Sequence, residues 1–325
     1  MPIIQTVLGK IPPKSLGFCH CHEHLMISKG KSFTINEALC IDDYQRTLAE
    51  LFMFKQAGGR TIVDAQPVGC NRMPAELASL SRDSGVHIIA STGFHKIIFY
   101  PDNHWVFQLT EAEITRIFLH ELTTGMYIDC DIFCPKEYIN LKAGIIKTAF
   151  DTCGLTEQYK KLFHAAITAS NNTGTPIMVH IEQNANPLVL VDFLKKEGAN
   201  FKKTIFCHMD RTCADITIHK KICDEGIYME YDTIGRFKYH SDEREAEIFR
   251  EMINAGYENQ LLFSLDTTRA RLKSYNPDAI GLDYIINSFI PLLKKAGISS
   301  GQIYKISHTN CKKALSIVHK KGLII

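Results

Sequence analysis

The sequence predicts an α/β protein built as a single (β/α)8 TIM barrel, with residues 1–325 forming one domain. Three observations carry the fold prediction: eight short apolar runs alternate with helical stretches, most of the helical stretches end at glycine, and no linker divides the series. At ~150 residues per domain the length would allow two domains, but single α/β barrels are routinely this long. An open doubly wound sheet would need a Gly-rich phosphate loop after an early strand, and the sequence contains none.

The eight predicted strands are apolar runs of the length typical of strands buried on both faces. They cover residues 16–24, 61–65, 86–92, 143–147, 176–180, 204–208, 227–231 and 261–265. Strands that alternate with helices are joined by right-handed crossovers and lie parallel. This arrangement brings the C-terminal ends of all the strands to one face of the barrel.

The predicted helices carry start and stop signals. Asp42 and Asp43 precede a helix that ends at Gly58, Pro74 opens the next helix, and Thr110-Glu111-Ala112-Glu113 forms a capping box. The remaining helices are predicted from about residue 156 to the glycine at 174, at 187–197, before the glycine at 226, at 242–255 and at 280–296.

Composition excludes several classes of protein. Hydrophobic and charged residues make up 45% and 22% of the chain, which is typical of a globular protein. Thirty-seven Lys and Arg against 35 Asp and Glu give a formal net charge of +2, which argues against a nucleic-acid partner. No apolar run approaches the ~18 residues of a membrane span, and the N-terminus lacks the features of a signal peptide. Eleven cysteines diluted over this length predict reduced thiols in a cytoplasmic protein.

The motif Cys19-His20-Cys21-His22-Glu23-His24 is the sharpest local indication of chemistry. Side chains alternate between the two faces of a strand, so we expect the three histidines on one face and the cysteines and the glutamate on the other. Two imidazoles on one face at this spacing can chelate a single metal ion. A zinc finger is disfavoured, because no second Cys/His pair follows at finger spacing.

Further polar residues stand at the ends of other predicted strands. In a (β/α)8 barrel the catalytic groups lie at these ends. Taken singly, a terminal histidine is explained by a hydrogen bond to a loop, and a terminal lysine by contact with water. Together they predict a metal site on strands one, four, five, six and eight, formed by His22, His24, Lys147, His180, His208 and Asp266.

The order and placement of these six residues resemble the phosphotriesterase family of the amidohydrolase superfamily. The resemblance extends from Gly17-Phe18 to the region of Asn310. It implies a hydrolase with two divalent metal ions, usually zinc and sometimes manganese or cobalt. It further implies that one metal is held by His22, His24 and Asp266, the other by His180 and His208, and that Lys147, carboxylated by CO2, bridges both together with a hydroxide.

Physical chemistry makes these implied roles reasonable. An unmodified lysine is a cation with no lone pair to offer a metal, whereas a carboxylated lysine is an anion with two oxygens. A bridging water loses a proton near neutral pH and becomes the nucleophile. Asp266 is then the expected catalytic residue that takes the proton and passes it to the leaving group.

The loops after strands seven and eight are basic and contain the predicted substrate-binding residues Arg236, Lys238, Arg269 and Tyr275. Barrel enzymes often bind phosphate with these loops, although the cations could equally be solvated or pair with Asp242 and Glu243. The sugar-lactone-phosphate branch of the family has a lysine resembling Lys238 and an arginine resembling Arg269. That branch also has a tyrosine where this chain has Leu272, and Tyr275 is the expected substitute.

Three functions remain open from the sequence. The favoured one is a lactonase that opens a small polar sugar lactone, phosphorylated or not. The second is a phosphotriesterase, phosphoesterase or amidase that uses the same metal centre. The third is a metal-binding barrel without catalysis, which predicts loss of a ligand such as Lys147 or Asp266, and both are present. We expect a small-molecule substrate, no nucleic-acid or membrane partner, and, from the resemblance, a homodimer.

Overall fold

Eight parallel strands form the centre of the computed structural model, which describes residues 1–212 and 215–318. Each strand is hydrogen-bonded to the next one along the chain, and helices flank the resulting barrel. The strands are β1 (Phe18–Glu23), β2 (Gly59–Asp64), β3 (His87–Gly93), β4 (Ile145–Phe150), β5 (Ile177–Ile181), β6 (Thr204–Cys207), β7 (Tyr228–Tyr231) and β8 (Leu261–Phe263). The predicted fold class is confirmed.

Most of the helices that pack on the barrel begin at a residue whose side chain caps them. Asp43 accepts a hydrogen bond from the backbone of Arg46, and Thr110 with Glu113 forms the predicted capping box. The helices are α1 (Tyr44–Ala57), α2 (Pro74–Ser84), α3 (Glu111–Thr123), α4 (Glu157–Thr173), α5 (Pro187–Lys196), α6 (Ile216–Asp224), α7 (Asp242–Asn254) and α8 (Ile290–Lys295).

The last barrel helix differs from the prediction of 280–296. Gly281 has a φ of 73°, which a right-handed helix cannot include, so the helical segment starts later. A π-helical turn at Ile285–Phe289 precedes α8. Pro291 lies in the first turn of α8 and has no N–H to donate, which favours a regular helix only from that point onward.

The barrel is closed between β1 and β8 largely by side chains. The backbone N–H of His22 donates to Ser264 Oγ at 2.8 Å, and that of Asp266 donates to the carbonyl of His22 at 3.2 Å. The Glu23 carboxylate accepts hydrogen bonds from the backbone and the hydroxyl of Thr267 at 3.0 and 2.7 Å. These bonds fix the loop that carries Asp266 against the strand that carries His22.

A β-bulge in β1 overturns the predicted alternation of the His/Cys motif. The pairing of β1 with β2 shifts between His20 and Glu23. His20 consequently packs outside the barrel, with its ring centroid 4.8 Å from that of Phe54 on α1. Cys21 and His22 instead both face the interior, where Cys21 belongs to the inner core layer and His22 reaches Lys147. His20 therefore lies apart from His22, contrary to the prediction.

The core has two layers. The inner layer fills the barrel and includes Val63, Ile89, Ile145 and Met178, and the outer layer packs the helices on the strands. A short hairpin of Ile4–Thr6 and Gly9–Ile11 and the helix Cys311–Leu315 contribute Ile4, Cys311 and other residues to the inner layer. The sequence did not predict these two elements. None of the helices in the described ranges combines the length and apolarity that a membrane span requires.

Candidate functional site

Five of the six predicted metal ligands converge at the C-terminal end of the barrel. The distance from His22 Nε2 to Lys147 Nζ is 2.9 Å, and Asp266 Oδ1 lies 3.7 Å from both His22 Nε2 and His24 Nε2. The ring centroids of His22 and His208 are 4.8 Å apart. His180 borders this group, with its ring centroid 4.3 Å from that of His208. All six residues therefore lie around one small region.

Lys147 is fully buried at the centre of this region. It is the third residue of β4, which continues to Phe150, so the prediction that Lys147 ends its strand is wrong. Burial lowers the pKa of Lys147, and none of the described carboxylates forms an ion pair with its amine. Burial therefore shifts Lys147 toward the neutral amine, the form that has a lone pair.

Gly93 allows the backbone of Lys147 to approach the end of β3 closely. Gly93 ends β3 with a φ of 99°, and a Cβ built on it would lie 1.9 Å from the carbonyl oxygen of Lys147.

We expect Gly93→Ala to lower the free energy of unfolding by about 2–4 kcal/mol, from the clash and the left-handed backbone together. Urea unfolding measures this loss. Gly58→Ala is the matched control, because Gly58 has a φ of 111° with nothing within 4 Å of a Cβ; an equal loss in both variants would show that backbone conformation alone matters.

His208 is held by Asp232, which the sequence analysis missed. The backbone N–H of His208 lies 3.2 Å from Asp232 Oδ2, and His208 Nδ1 lies 2.7 Å from the same carboxylate. These contacts hold His208 at a φ of 64°, a conformation rare for residues other than glycine. They also leave His208 Nε2 buried and without a hydrogen-bond partner among the described residues. Burial and the nearby Arg211 lower the pKa of His208 well below its ordinary value, so this nitrogen offers a lone pair.

His22 also lies close to a buried carboxyl group. Its Nδ1 lies 3.3 Å from Glu230 Oε2, while Ser264 Oγ donates to the other oxygen of Glu230 at 2.6 Å. Burial lowers the pKa of His22 well below its ordinary value, and the pKa of His24 falls to about 4 for the same reason. Both imidazoles are therefore neutral near pH 7.

Asp266 divides its two oxygens between different partners. Oδ1 faces His22 and His24, whereas Oδ2 lies 2.9 Å from Arg236 Nη2 and 3.3 Å from Arg211 Nη1. Burial by itself would raise the pKa of Asp266, but Arg236 and the other surrounding cationic groups hold it well below its ordinary value. Asp266 has a φ of 49°, a second strained backbone position at this site.

The donor set fits a divalent metal ion. The ligand atoms of His22, His24 and Asp266 lie within 4.8 Å of one another. Neutral imidazoles and an ionised carboxylate are the ligands that zinc and similar ions take, and a carboxylate behind a histidine is the usual second interaction. The buried, unpartnered Nε2 of His208 is the observation that most directly indicates a metal site. The identity of the metals and the carboxylation of Lys147 stay predictions.

His180 has a different set of contacts. Its Nε2 lies 3.2 Å from Glu182 Oε2, and Lys96 Nζ contacts the same oxygen. Burial and the neighbouring His208 lower the pKa of His180 well below its ordinary value. Nε2 of His180 is thus engaged by Glu182 in this structure.

The structure separates the predicted substrate-binding residues. Arg236 contacts the site by pairing with Asp266. Lys238 is exposed, and its amine lies 4.7 Å from the ring centroid of Tyr239. Arg269 and Tyr275 line a cavity of about 740 Å³ whose other lining residues come from the segment after β1, the first turn of α1 and the loop after β8. The hydroxyl of Tyr275 donates to the carbonyl of Asp43 at 2.7 Å, so it is engaged within the fold.

Several site residues were not predicted from the sequence. Asp232 directly follows β7, so the strand-end argument that selected Asp266 would also have selected it. Arg211 stands three residues beyond His208, and Glu230 is a buried carboxyl group within a short buried strand. A buried glutamate in such a strand is a usable indication of a site, because an unpaired buried charge is costly.

Comparisons with known proteins cover nearly the whole chain. A sequence model of the phosphotriesterase family matches residues 2–315. The chain is 28% identical to a phospho-furanose lactonase of Mycoplasmopsis synoviae, over 98% of this chain and 93% of the relative. It is 27% identical to an N-acetyltaurine hydrolase of Xenopus tropicalis, over 96% of this chain and 97% of the relative.

Solved structures show the same architecture. An amidohydrolase from Mycoplasma synoviae superposes with a TM-score of 0.92 at 28% identity, covering 98% of this chain and 93% of the other. A lactonase from Listeria monocytogenes gives 0.88 at 25% identity, covering 98% and 100%. A phosphotriesterase homology protein from Escherichia coli, complexed with phosphate in its active site, gives 0.82 at 26% identity, covering 92% and 98%.

Proposed function

The chain belongs to the phosphotriesterase family, and from this membership we propose that it is a metal-dependent hydrolase that opens small polar lactones bearing an anionic group. One observation carries the proposal. At the C-terminal end of the barrel, a buried lysine, neutral histidines and an ionised aspartate face one another, with Lys147 Nζ 2.9 Å from His22 Nε2. This is the end where barrel enzymes place their catalytic groups.

The proposed metal centre uses His22, His24, Lys147, His208 and Asp266, with His180 joining once it leaves Glu182. Two divalent ions, when bound, would polarise the carbonyl of the substrate and lower the pKa of a water molecule. Burial lowers the pKa of Lys147 and so favours carboxylation: the nitrogen of the neutral form makes a bond to the carbon of CO2 and releases one proton, and the product is an anion with two oxygens. Asp232 keeps the ring of His208 in place, and Glu230 lies 3.3 Å from Nδ1 of His22.

Asp266 is proposed as the group that moves the proton. Its Oδ1 accepts the proton of the attacking water and then delivers it to the oxygen that leaves when the lactone ring opens. Arg236 and Arg211 hold Oδ2, so the carboxylate stays ionised and its other oxygen stays directed into the site. A group with this geometry is available as a base at every pH near neutrality.

An anionic substrate is supported by the relatives and by the loops. The name of one relative denotes a phosphate ester and that of the other a sulfonate, so both act on molecules with a tetrahedral anion. In this chain, Arg236 lies at Asp266, and the exposed Lys238 is in the same loop. Arginine offers two N–H groups to such an anion and lysine a point charge.

The amide hydrolase activity is the second candidate, and the N-acetyltaurine hydrolase relatives are the observation that favours it. The same groups could attack an amide carbonyl, with Asp266 giving its proton to the amine that leaves. The two candidates differ in the bond that is cleaved and share the need for an anion-binding loop.

A matched substrate panel on the metal-reconstituted chain tests the proposal. We expect turnover of a furanose lactone phosphate to exceed that of the same lactone without phosphate and that of N-acetyltaurine. Faster hydrolysis of N-acetyltaurine would favour the second candidate. Absence of turnover on every lactone and amide in the panel would contradict the proposed hydrolase.

Lys238→Ala and Arg269→Ala measure the contribution of the basic loops. We expect each to raise KM about tenfold for the phosphorylated lactone and to leave kcat nearly unchanged, because a hydrogen bond to a charged group contributes about 1.5–3 kcal/mol. Lys160→Ala on the outer surface of α4 is the control. An equal rise in KM for the unphosphorylated lactone would show that these residues do not recognise phosphate.

A further inference from the structure

A second cluster of potential ligands lies beside the loop after β7. It consists of Asp210, His240 and Glu245, whose ligand atoms all lie within 4.8 Å of one another. His240 Nε2 is 3.1 Å from Glu245 Oε2. Asp210 and Glu245 are buried, and the side chain of His240 is 16% exposed. We call these three residues the loop-7 cluster.

Glu245 is the unusual member of this cluster. It lies on α7 with its side chain 0% exposed, and neither of its carboxylate oxygens has a hydrogen-bond partner among the described residues. No described lysine or arginine forms an ion pair with Glu245 or Asp210. Two buried carboxylates side by side without a cation are strongly unfavourable, so this cluster requires a bound cation or a bound proton.

Neighbouring charges do not supply that cation. The guanidinium of Arg211 lies against Asp266, 3.3 Å from Oδ2. Asp242 is another acidic side chain of α7, and it does not belong to the cluster. Its carboxylate accepts hydrogen bonds from the backbone of Gly235 at 2.7 Å and from the hydroxyl of Tyr284 at 2.8 Å. The carboxylate of Glu245 thus lies beside Asp210 and Nε2 of His240, with no described lysine or arginine paired to it.

We propose that Asp210, His240 and Glu245 bind a divalent cation of the zinc type, as a third ion distinct from the proposed centre at His22, His24 and Asp266. Two carboxylates and one imidazole are ligands that such an ion accepts. Bonds of ~2.0–2.1 Å at tetrahedral angles place neighbouring ligand atoms about 3.3 Å apart, close to the 3.1 Å between His240 and Glu245. The charges of the ion and the two carboxylates cancel.

Such an ion would link the two ends of the loop after β7 through its ligands. Asp210 accepts a hydrogen bond from the backbone of Thr233, where this loop begins, and His240 lies where it ends. Arg236 and Lys238 lie between these points. The bound ion would therefore order the loop that contacts Asp266, and this inference does not depend on which substrate the chain hydrolyses.

Zinc content and proteolysis of the full chain test the inference. Chain freed of metal by a chelator is loaded with Zn²⁺, desalted and analysed for zinc per chain. Glu245→Gln preserves the shape of the side chain, and His240→Gln changes the more exposed ligand. The matched control is Glu243→Gln, an exposed acid in the first turn of the same helix.

We expect Glu245→Gln and His240→Gln each to hold one zinc ion fewer than the wild-type chain, and Glu243→Gln to hold the same number. Zinc should slow cleavage by trypsin after Arg236 and Lys238 at least fivefold in the wild-type chain, and this protection should be lost in both ligand variants. Absence of a third zinc ion from every chain, the wild type included, would overturn the inference and indicate a proton shared by the two carboxylates. A third zinc that persists in the variants would also overturn it, and would direct attention to the buried thiols of Cys19, Cys21 and Cys311.

Discussion

Replacing Lys147 with methionine should lower kcat/KM by on the order of 10³-fold or more, the loss expected when a central charged group of a catalytic site is removed. Methionine fills a similar volume with no amine, so it can neither carry CO2 nor offer an anionic oxygen. The zinc content of the reconstituted chain should fall at the same time. Turnover of the preferred substrate and metal content per chain are the two measurements.

A stability measurement separates this loss from misfolding. Lys147 is buried without a carboxylate partner, so methionine removes a polar group that is costly to bury. We expect the metal-free Lys147→Met chain to be more stable than the metal-free wild-type chain by about 1–3 kcal/mol, and no longer stabilised by zinc at this centre. Lys160→Met on α4 is the control. Activity near the wild-type level in Lys147→Met would contradict the proposed role of Lys147.

The fold and the position of the site were accessible from the sequence for a physical reason. Buried parallel strands must be apolar, so polar residues such as His208 and Asp266 stand out beyond the points where the strands end, and His180 stands out one residue before its strand ends. Because all strands of a barrel point the same way, residues far apart in the chain meet at one face. The meeting of Lys147 with His22, 125 positions apart, follows from this topology.

Local geometry was not accessible in the same way. The β-bulge in β1 depends on how the strand pairs with β2, and it moved His20 out of the barrel. The left-handed backbone of His208 and Asp266 depends on contacts with Asp232 and His22 that no local pattern specifies. Asp232 itself was missed because it was not considered as the polar end of its strand.

Asp266→Asn should reduce kcat by about 10²–10⁴-fold while most of the bound metal is retained. The amide has nearly the same shape as the carboxylate, but it cannot accept a proton, so the proposed transfer from water to the leaving oxygen is blocked. Measurement of kcat and of zinc content on the same preparation distinguishes loss of the base from loss of the metal. Turnover equal to that of the wild-type chain would exclude Asp266 as the proton acceptor.

The same substitution should also destabilise the chain, because Arg236 and Arg211 lose the carboxylate that lies 2.9 and 3.3 Å from them. We expect a loss of about 1–3 kcal/mol, the cost of leaving a largely buried charged group unsatisfied. Adding Arg236→Met should recover part of this stability and none of the activity. A double-mutant cycle with coupling above about 1 kcal/mol would establish that the arginine acts on the aspartate directly, whereas additive losses would mean that the two side chains act independently. Stability and proton transfer at Asp266 are thus separable properties, since each of its two oxygens serves one of them.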